Sequence, residues 1–247
     1  MVNIPYSAMR FLPILLLPGS CTHYYYAPNN QHIPTLRRQH DAVVHAYGIT
    51  GDEFKGWEVQ AAYSPLPYTI LQFDHFNVQG DPSTNFSDSE PNDGRGSLTE
   101  GALGFYLPTG SNGVFTLSAG LGKGHVYNYY GEQTYSDLKF RRMYIQPSIA
   151  FDGEYFRGGV AGRLVHLAYL EGAIDARIPV DDLQAIQRIE YNAPLLFPEI
   201  SAALGAGFRP IFVNAQFNLC LADGRYKFAR SSIGLSVTYQ IDHLWKQ

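Results

Sequence analysis

Apolar and polar residues alternate with a period of two along most of the chain after about residue 39. In one clear example, Ile211, Val213, Ala215 and Phe217 are separated by Phe212, Asn214 and Gln216. Such alternation is typical of β-strands with one apolar face. The pattern predicts ten strands and no helix of any length between them. The predicted strands are centred near Val44, Val59, Phe73, Leu103, Leu117, Ile145, Ala161, Ile200, Val213 and Leu235.

The predicted connections alternate between short and long. Turn residues occur at 64–67, 108–113, 152–154 and 205–207, and longer polar links at 78–96, 122–137, 171–190 and 222–228. This rhythm is typical of a transmembrane barrel with short periplasmic turns and long outer loops. The fold class predicted is therefore all-β: an antiparallel up-and-down transmembrane β-barrel of about ten strands, with both termini on the periplasmic side.

Alternation alone does not decide whether the polar face lines the lumen or the outside. Bulky ionisable residues of both signs occupy mid-strand positions, as expected if they fill the lumen of a small barrel and neutralise one another. This luminal polar network is predicted to contain Glu58, Glu100, Arg142, Arg157, Arg163 and Glu199. In a dry interior such charges are costly unless they are paired.

Aromatic residues gather near the ends of the predicted strands and favour the same orientation. Interfacial girdles of aromatic side chains are a feature of membrane barrels. The residues assigned to the girdles are Trp57, Tyr63, Tyr68, Phe76, Phe105, Tyr106, Phe140, Phe151, Phe156, Tyr169, Phe228 and Tyr239.

The N-terminus has the pattern of an export signal over residues 1–20, with Arg10 before a short apolar stretch. The sequence around Cys21 resembles the lipobox of bacterial lipoproteins, although Pro18 stands where the pattern prefers leucine. Lipidation at Cys21 is therefore predicted. Residues 21–38 are predicted to form a lipidated N-terminal tether on the periplasmic side, followed by the barrel at 39–241 and a tail at 242–247. The other cysteine, Cys220, is predicted to be a buried strand residue.

Composition excludes several classes of protein. The 247 residues carry 18 Lys plus Arg and 22 Asp plus Glu, a net charge of −4, without a basic cluster for phosphates. Nucleic acid is therefore not a predicted partner. The one continuous apolar run, residues 11–17, is too short for a membrane-spanning helix. The lipid bilayer is the predicted partner, together with surface glycan or protein partners bound through the long loops 78–96 and 171–190.

Several short motifs resemble a group of Bacteroidota outer-membrane β-barrel lipoproteins that has no assigned activity. They are the run Tyr24-Tyr25-Tyr26-Ala27-Pro28-Asn29 after the cysteine, Ile33-Pro34-Thr35-Leu36, Glu58-Val59-Gln60-Ala61-Ala62-Tyr63, Tyr144-Ile145-Gln146-Pro147-Ser148-Ile149 and the final Val237-Thr238-Tyr239. The resemblance covers nearly the whole mature chain and implies location and architecture. The C-terminal extension from Asp242 departs from the group's pattern.

No motif identifies a reaction, a cofactor or a metal site. Rim candidates for catalysis are Asp74, His75, His125 and His166, but Asp74 and His75 are adjacent and point to opposite faces of a strand. The function predicted is a structural or surface-interaction role without catalysis. The alternatives left open are a narrow channel for small polar solutes, a soluble lipocalin-like carrier anchored at Cys21, and an outer-membrane lipid hydrolase or acyltransferase.

Overall fold

Ten antiparallel strands form a closed barrel in the computed structural model, which describes residues 23–51, 54–80, 94–131, 134–175 and 177–242. Every strand pairs with its sequence neighbours, and β1 closes the barrel against β10, for example with Val44 opposite Tyr239. The ten-stranded up-and-down prediction is confirmed. The strands are β1 (Ala42–Gly51), β2 (Phe54–Tyr63), β3 (Thr69–Gly80), β4 (Arg95–Thr109), β5 (Gly113–Tyr129), β6 (Tyr135–Asp152), β7 (Phe156–Ile174), β8 (Leu195–Phe208), β9 (Ile211–Cys220) and β10 (Ser231–Ile241).

The connections divide the barrel into two different ends. Four tight turns, at 64–68, 110–112, 153–155 and 209–210, lie at what we call the short-turn end. Residues 81–94, 175–194 and 221–230 connect strands at the opposite, long-loop end. The predicted rhythm is therefore present, although residues 52–53 and 130–134 make two shorter connections at the long-loop end.

Two predicted connections lie inside strands, so those predictions are wrong. Strand β8 continues through residues 205–207, and β5 continues to Tyr129 through most of the expected link 122–137. Glycine suggested loops at both places. A Cβ on Gly124 would lie 2.1 Å from the ring of Phe140, and one on Gly205 would lie 2.0 Å from the Asn214 amide. These glycines make room for neighbouring side chains and do not break the strands.

The link 171–190 also contains a helix that the sequence pattern did not predict. Helix α1 spans Val180–Asn192 and begins directly after Pro179. Its buried positions, Asp182, Ala185, Ile186 and Ile189, follow the i, i+3, i+4, i+7 spacing of a helix with one buried face. No helix among the described residues is long and apolar enough to cross a membrane.

The outer wall of the barrel is apolar and the inner wall is mainly polar. Exposed outward side chains include Ile149, Val160, Val213 and Leu235, each more than half accessible. The strand neighbours of these residues point inward and are buried, Ser148 and Asn214 among them. The apolar residues of the period-two pattern therefore point away from the protein interior, and the polar residues point into it.

The aromatic assignment is only partly correct. Trp57, Phe105, Phe156 and Tyr239 are exposed on the outer wall and Tyr68 is exposed in the turn 64–68, whereas four others are buried. Those four are Phe76, Tyr106, Phe140 and Phe228. The inward placement has a packing cause, because Phe140 and Phe228 surround the ring of Tyr26 with centroids 6.0 and 5.3 Å away.

Residues 23–41, which we call the lumen segment, run through the barrel from one mouth to the other. His23 contacts the backbone of Tyr129 at the long-loop end, and Arg38 contacts Asp41 at the short-turn end. The segment between them is almost wholly buried and has no regular structure apart from a bridge between Tyr26 and Phe228. The prediction of a tether outside the barrel is therefore wrong for residues 23–38, which fill the lumen, and His23 lies at the long-loop end.

Other predictions fall on residues outside the described ranges. They are the signal segment 1–20, lipidation at Cys21, the acidic part of loop 78–96 and most of the tail 242–247. Cys220 lies within the described residues and is a buried free thiol near the end of β9, as predicted.

Candidate functional site

The middle of the lumen is organised around the side chain of Asn29. Its amide oxygen accepts hydrogen bonds from Nη2 of Arg142 at 2.7 Å and from Nη1 of Arg163 at 2.8 Å. Its amide nitrogen donates to Glu58 at 3.0 Å. One amide therefore joins strands β2, β6 and β7 through the centre of the barrel, and both guanidinium groups are fully buried.

Two further carboxylates, Glu100 on β4 and Glu199 on β8, complete this layer. Nε of Arg142 donates to Glu100 at 2.6 Å, and a second donor of the same guanidinium also contacts that carboxylate. Glu199 accepts from the Tyr26 hydroxyl at 2.7 Å and lies 3.6 Å from Arg163. Charge pairing and hydrogen bonding together offset the cost of removing these groups from water.

The carboxylate of Glu58 is held mainly by the lumen segment. It accepts from the backbone nitrogen of Asn30 at 3.0 Å and from the Asn30 amide at 2.7 Å. Gln60, its neighbour on the same face, donates to Glu58 at 2.9 Å and to the Asn30 carbonyl at 2.8 Å. A charged wall position is thus satisfied by residues that arrive from a different part of the chain.

Five of the six residues predicted for the luminal network meet in this layer, and Arg157 does not. Arg157 lies nearer the short-turn end, where it pairs with Asp152 at 2.9 Å and contacts Thr35 and Gln240. Its guanidinium carbon stands 3.9 Å from the ring centroid of Phe212. The barrel therefore holds two separate charged layers, both in contact with the lumen segment.

Sequence reasoning missed the partners of the predicted residues. Tyr26, Asn29 and Asn30 come from a segment predicted to lie outside the barrel, and Asp74 had been considered only as a rim acid. Asp74 faces inward opposite Glu100 and lies 3.5 Å from His32. The alternation along β3 could have placed Asp74 in the lumen, because Gln72, Asp74 and Phe76 are alternate residues and all face inward.

Two glycines in the wall leave space for the lumen segment. A Cβ on Gly234 would lie 2.6 Å from the Asn30 side chain, and a Cβ on Gly159 would lie 2.7 Å from Ile33. Side chains at these positions would compete with the segment for the same volume. The fit between the wall and the lumen segment therefore depends on small wall residues as well as on charged ones.

A second cluster fixes the segment at the long-loop mouth. The Tyr25 hydroxyl donates to Asp182 of helix α1 at 2.8 Å and lies 2.8 Å from the Tyr130 hydroxyl. Lys227, from the connection between β9 and β10, lies 2.9 Å from the same Asp182 carboxylate, and its carbonyl accepts from the backbone nitrogen of Tyr25. Three outer connections therefore converge on Tyr25 and Asp182.

Little open space remains beside the segment. A cavity of about 50 Å³ lies near Tyr24 and Phe76 at the long-loop mouth, and another of about 30 Å³ lies between Ile33 and Arg157. Volumes of this size hold a few water molecules at most. These cavities do not form a path for a solute.

The rim candidates for catalysis do not come together. Asp74 points into the lumen, and His75 lies on the outer wall against Thr99 at 2.8 Å, as strand parity predicts. His125 pairs with Asp137 at 2.6 Å. Ser97 stands opposite His125 in the register, but among the described residues no hydrogen bond joins its hydroxyl to that ring. His166 stands opposite Met143 on β6, and its Nδ1 has no hydrogen-bond partner among the described residues. His75 contacts the Thr99 hydroxyl, but no carboxylate of the described residues contacts that ring, so the candidates do not form a nucleophile, base and orienting acid.

The described residues contain no cluster of three or more His, Cys, Asp or Glu side chains arranged to hold a metal ion. In the central layer, Arg142 and Arg163 contact the carboxylates of Glu100 and Glu199 and the Asn29 amide instead. The arrangement is suited to closing the barrel and fixing the lumen segment.

Comparison with known proteins gives structural likeness only. No family model and no curated protein matches the chain. The N-terminal β-barrel domain of Pseudomonas aeruginosa OprF is similar with a TM-score of 0.36 and 13% identity, over 83% of this chain and 100% of that one. An outer membrane channel from Pseudomonas putida F1 has a TM-score of 0.40 and 11% identity, over 83% and 97%. Neisserial surface protein A has a TM-score of 0.36 and 9% identity, over 81% and 94%. The fold described above rests on the strand register itself.

Proposed function

We propose that this protein is a β-barrel lipoprotein of the bacterial outer membrane, closed by its own N-terminal segment, with a structural or surface-interaction role and no catalytic activity. The observation that carries the proposal is the lumen segment, which occupies the barrel from mouth to mouth and is bonded to the wall at each level. Membership of the Bacteroidota group that the sequence resembles is part of the same proposal.

Support for the membrane location comes from the outer wall. On β6, the exposed side chains from Met143 to Phe151 span nine residues of strand, which is eight residue steps. That length is about 26 Å along the strand and about 20 Å along the barrel axis at a tilt of about 40°. The height is close to the apolar band of membrane barrels, whereas a soluble carrier would place its apolar face inside. The lipocalin-like alternative is therefore disfavoured.

The position of His23 at the long-loop end bears on which leaflet of the membrane a lipid anchor at Cys21 would enter. Membrane barrels keep short turns in the periplasm and long loops outside. With this orientation His23 lies at the outer mouth, and lipidation at Cys21, two residues earlier in the sequence, would anchor the protein in the outer leaflet. The connections at the same mouth, including helix α1 with its exposed Val180 and Tyr191, are the surfaces available to glycan or protein partners.

The filled lumen disfavours the channel alternative, and conductance tests it. We expect wild-type protein in planar bilayers to give no stable current steps. Gly234→Leu places a side chain where Asn30 lies, so it should displace the lumen segment and produce current. Gly48→Leu is the matched control, because a Cβ at Gly48 meets nothing within 4 Å. Steady ion conduction by the wild-type barrel would overturn the proposal of a closed lumen.

Orientation and anchoring need a separate experiment. An epitope inserted between residues 22 and 23 should bind antibody on intact cells, and one inserted in the turn 153–155 should bind only after the outer membrane is permeabilised. The reverse pattern would contradict the orientation. Metabolic labelling with a fatty acid, compared between wild type and Cys21→Ala, tests lipidation independently. The membrane fraction of both proteins, run heated and unheated on gels, tests whether the barrel itself spans the bilayer.

A further inference from the structure

The outer wall of β3 to β6 changes from apolar to polar between two neighbouring rows of the strand register. In the register, Phe73, Gly101, Leu121 and Met143 form one outward row, and the next row toward the long-loop end contains His75, Thr99, Lys123 and Arg141. Leu121 and Met143 are exposed, as the lipid-facing band requires. The second row therefore marks the upper boundary of that band.

Two cations face each other directly in this boundary row. Lys123 on β5 is the register partner of Arg141 on β6, and both side chains are exposed on the outer wall. Their partners on the other side are Thr99 and Ala168, neither of which carries charge. Like charges placed directly opposite on neighbouring strands destabilise a sheet. Repulsion between Lys123 and Arg141 therefore lowers the stability of the isolated barrel. An external anion bound at this position would remove that repulsion.

Further charged residues continue this outward face toward the long-loop end. Arg95 and Lys139 lie there, and Glu171 on β7 is the register partner of Lys139. Asp137 also faces outward there, but its carboxylate is bound to His125 at 2.6 Å. Lys123 and Arg141 are therefore the two neighbouring cations of the boundary row.

The neighbours of the pair on the same two strands fix its level. Leu121 and Met143 are exposed apolar residues, and Lys123 and Arg141 are the next outward positions toward the long-loop end. The pair therefore lies at the long-loop edge of the apolar band on β5 and β6, where headgroups begin. On β2, Trp57 is half exposed, with its ring centroid 5.2 Å from that of His75, as expected for a tryptophan at an interface.

We propose that Lys123 and Arg141 together bind a phosphate monoester on the glycolipid of the outer leaflet. The inference rests on the proposed outer-membrane location. A phosphate monoester carries between one and two negative charges near neutral pH, so it balances two adjacent cations better than a phosphodiester. The planar guanidinium of Arg141 matches two phosphate oxygens, and the Lys123 ammonium adds a point charge.

Lipid binding by the purified full-length barrel tests the site. The probe is bisphosphorylated lipid A, titrated in detergent and followed by native mass spectrometry, with dephosphorylated lipid A in parallel. Lys123→Gln and Arg141→Gln should each weaken binding of the phosphorylated form by roughly tenfold, the usual scale of a lost hydrogen bond to an ion. Lys55→Gln, which removes an exposed lysine from β2 at the same mouth, should leave affinity within about twofold.

A charge reversal separates the site from general folding effects. Lys123→Glu should form an ion pair with Arg141, so the lipid-free barrel should unfold at a higher temperature than wild type while losing lipid A binding. Unchanged binding in the three variants at positions 123 and 141 would overturn the proposal. Equal binding of dephosphorylated lipid A, or displacement of the lipid by millimolar inorganic phosphate, would also overturn it. If heated and unheated samples migrate alike on gels, the membrane barrel itself is refuted, which is a distinct failure.

Discussion

The hydroxyl of Tyr26 donates a hydrogen bond to Glu199 at 2.7 Å, joining the lumen segment to strand β8 across 173 residues of sequence. The same hydroxyl accepts from a guanidinium nitrogen of Arg142 on β6. One tyrosine of the segment therefore bridges an acid on β8 and a base on β6, two strands that flank β7. The segment is part of the folded core of the barrel.

Removing that hydroxyl should weaken the whole barrel. Tyr26→Phe keeps the ring but leaves Glu199 without a donor, and a buried polar group deprived of its partner costs about 1–3 kcal/mol. Equilibrium unfolding in urea, with protein refolded into lipid vesicles, measures the change. Tyr239→Phe on the outer wall is the control and should change stability by less than about 0.5 kcal/mol. Equal stability of the two variants would mean that the Tyr26 bridge contributes nothing.

The pair of Arg142 and Glu100 should behave differently when one or both partners are removed. Arg142→Met leaves Glu100 buried without its cation and should destabilise the barrel by about 3–5 kcal/mol. Arg142→Met combined with Glu100→Gln removes both charges and should recover a large part of that loss. Unfolding of the single and double variants gives the comparison. A double variant that is less stable than Arg142→Met would contradict the pairing described here.

Strand number, order and facing were predictable because the outward residues repeat every second position over whole strands. From Met143 to Phe151, the odd-numbered residues all face outward. Once the apolar face is taken to be the outer one, the orientation of every residue in this stretch follows. Charged mid-strand residues such as Arg142 and Glu199 then had to be luminal. These inferences use only local alternation and the cost of burying charge.

The contents of the lumen were not predictable in the same way. Polar and apolar residues do not alternate regularly in the lumen segment, because successive residues contact different strands. No local sequence pattern therefore marks Asn29 and Asn30 as luminal. Tyr, Asn and Pro are common in exposed linkers, and the composition resembled one. Gly159 and Gly234 mark the places where the wall leaves space for the segment. A glycine in a strand has several possible explanations, however, until its neighbour in the structure is known.

Helix α1 should depend on the carboxylate of Asp182. This buried group accepts from Tyr25 and pairs with Lys227, so Asp182→Asn should loosen the helix from the mouth. Hydrogen exchange of the amides over 180–192 should accelerate by roughly tenfold, because hydrogen bonds to charged groups are worth about 1.5–3 kcal/mol. Asp181→Asn is the matched control, since Asp181 lies in the same first turn but is exposed. Equal exchange in the two variants would contradict the role assigned to Asp182.

The exposed ion pair at the start of the connection between β7 and β8 predicts a local pH dependence. Side-chain and backbone hydrogen bonds from Arg177 lower the pKa of Asp175 from its ordinary 3.8 to about 2. Arg177 donates from Nε at 3.0 Å and from Nη2 at 2.7 Å, one bond to each carboxylate oxygen. Because the folded pKa is depressed, the contribution of the ionised form is present above about pH 4 and is lost as pH falls through about 2.

Carbon-detected NMR of the Asp175 carboxyl group in the refolded barrel measures this titration. Arg177→Gln should raise the pKa toward 3.8, although the backbone nitrogen of residue 177 still donates to the carboxylate. Arg225→Gln is the matched control, because Arg225 forms the same kind of pair with Asp223 in the connection between β9 and β10. It should raise the pKa of Asp223, also about 2 in the wild type, and leave Asp175 unchanged. Both pairs are solvent-exposed, so overall stability should hardly respond to either substitution. If Asp175 titrates near 3.8 in the wild-type protein, the bidentate contact does not persist in solution.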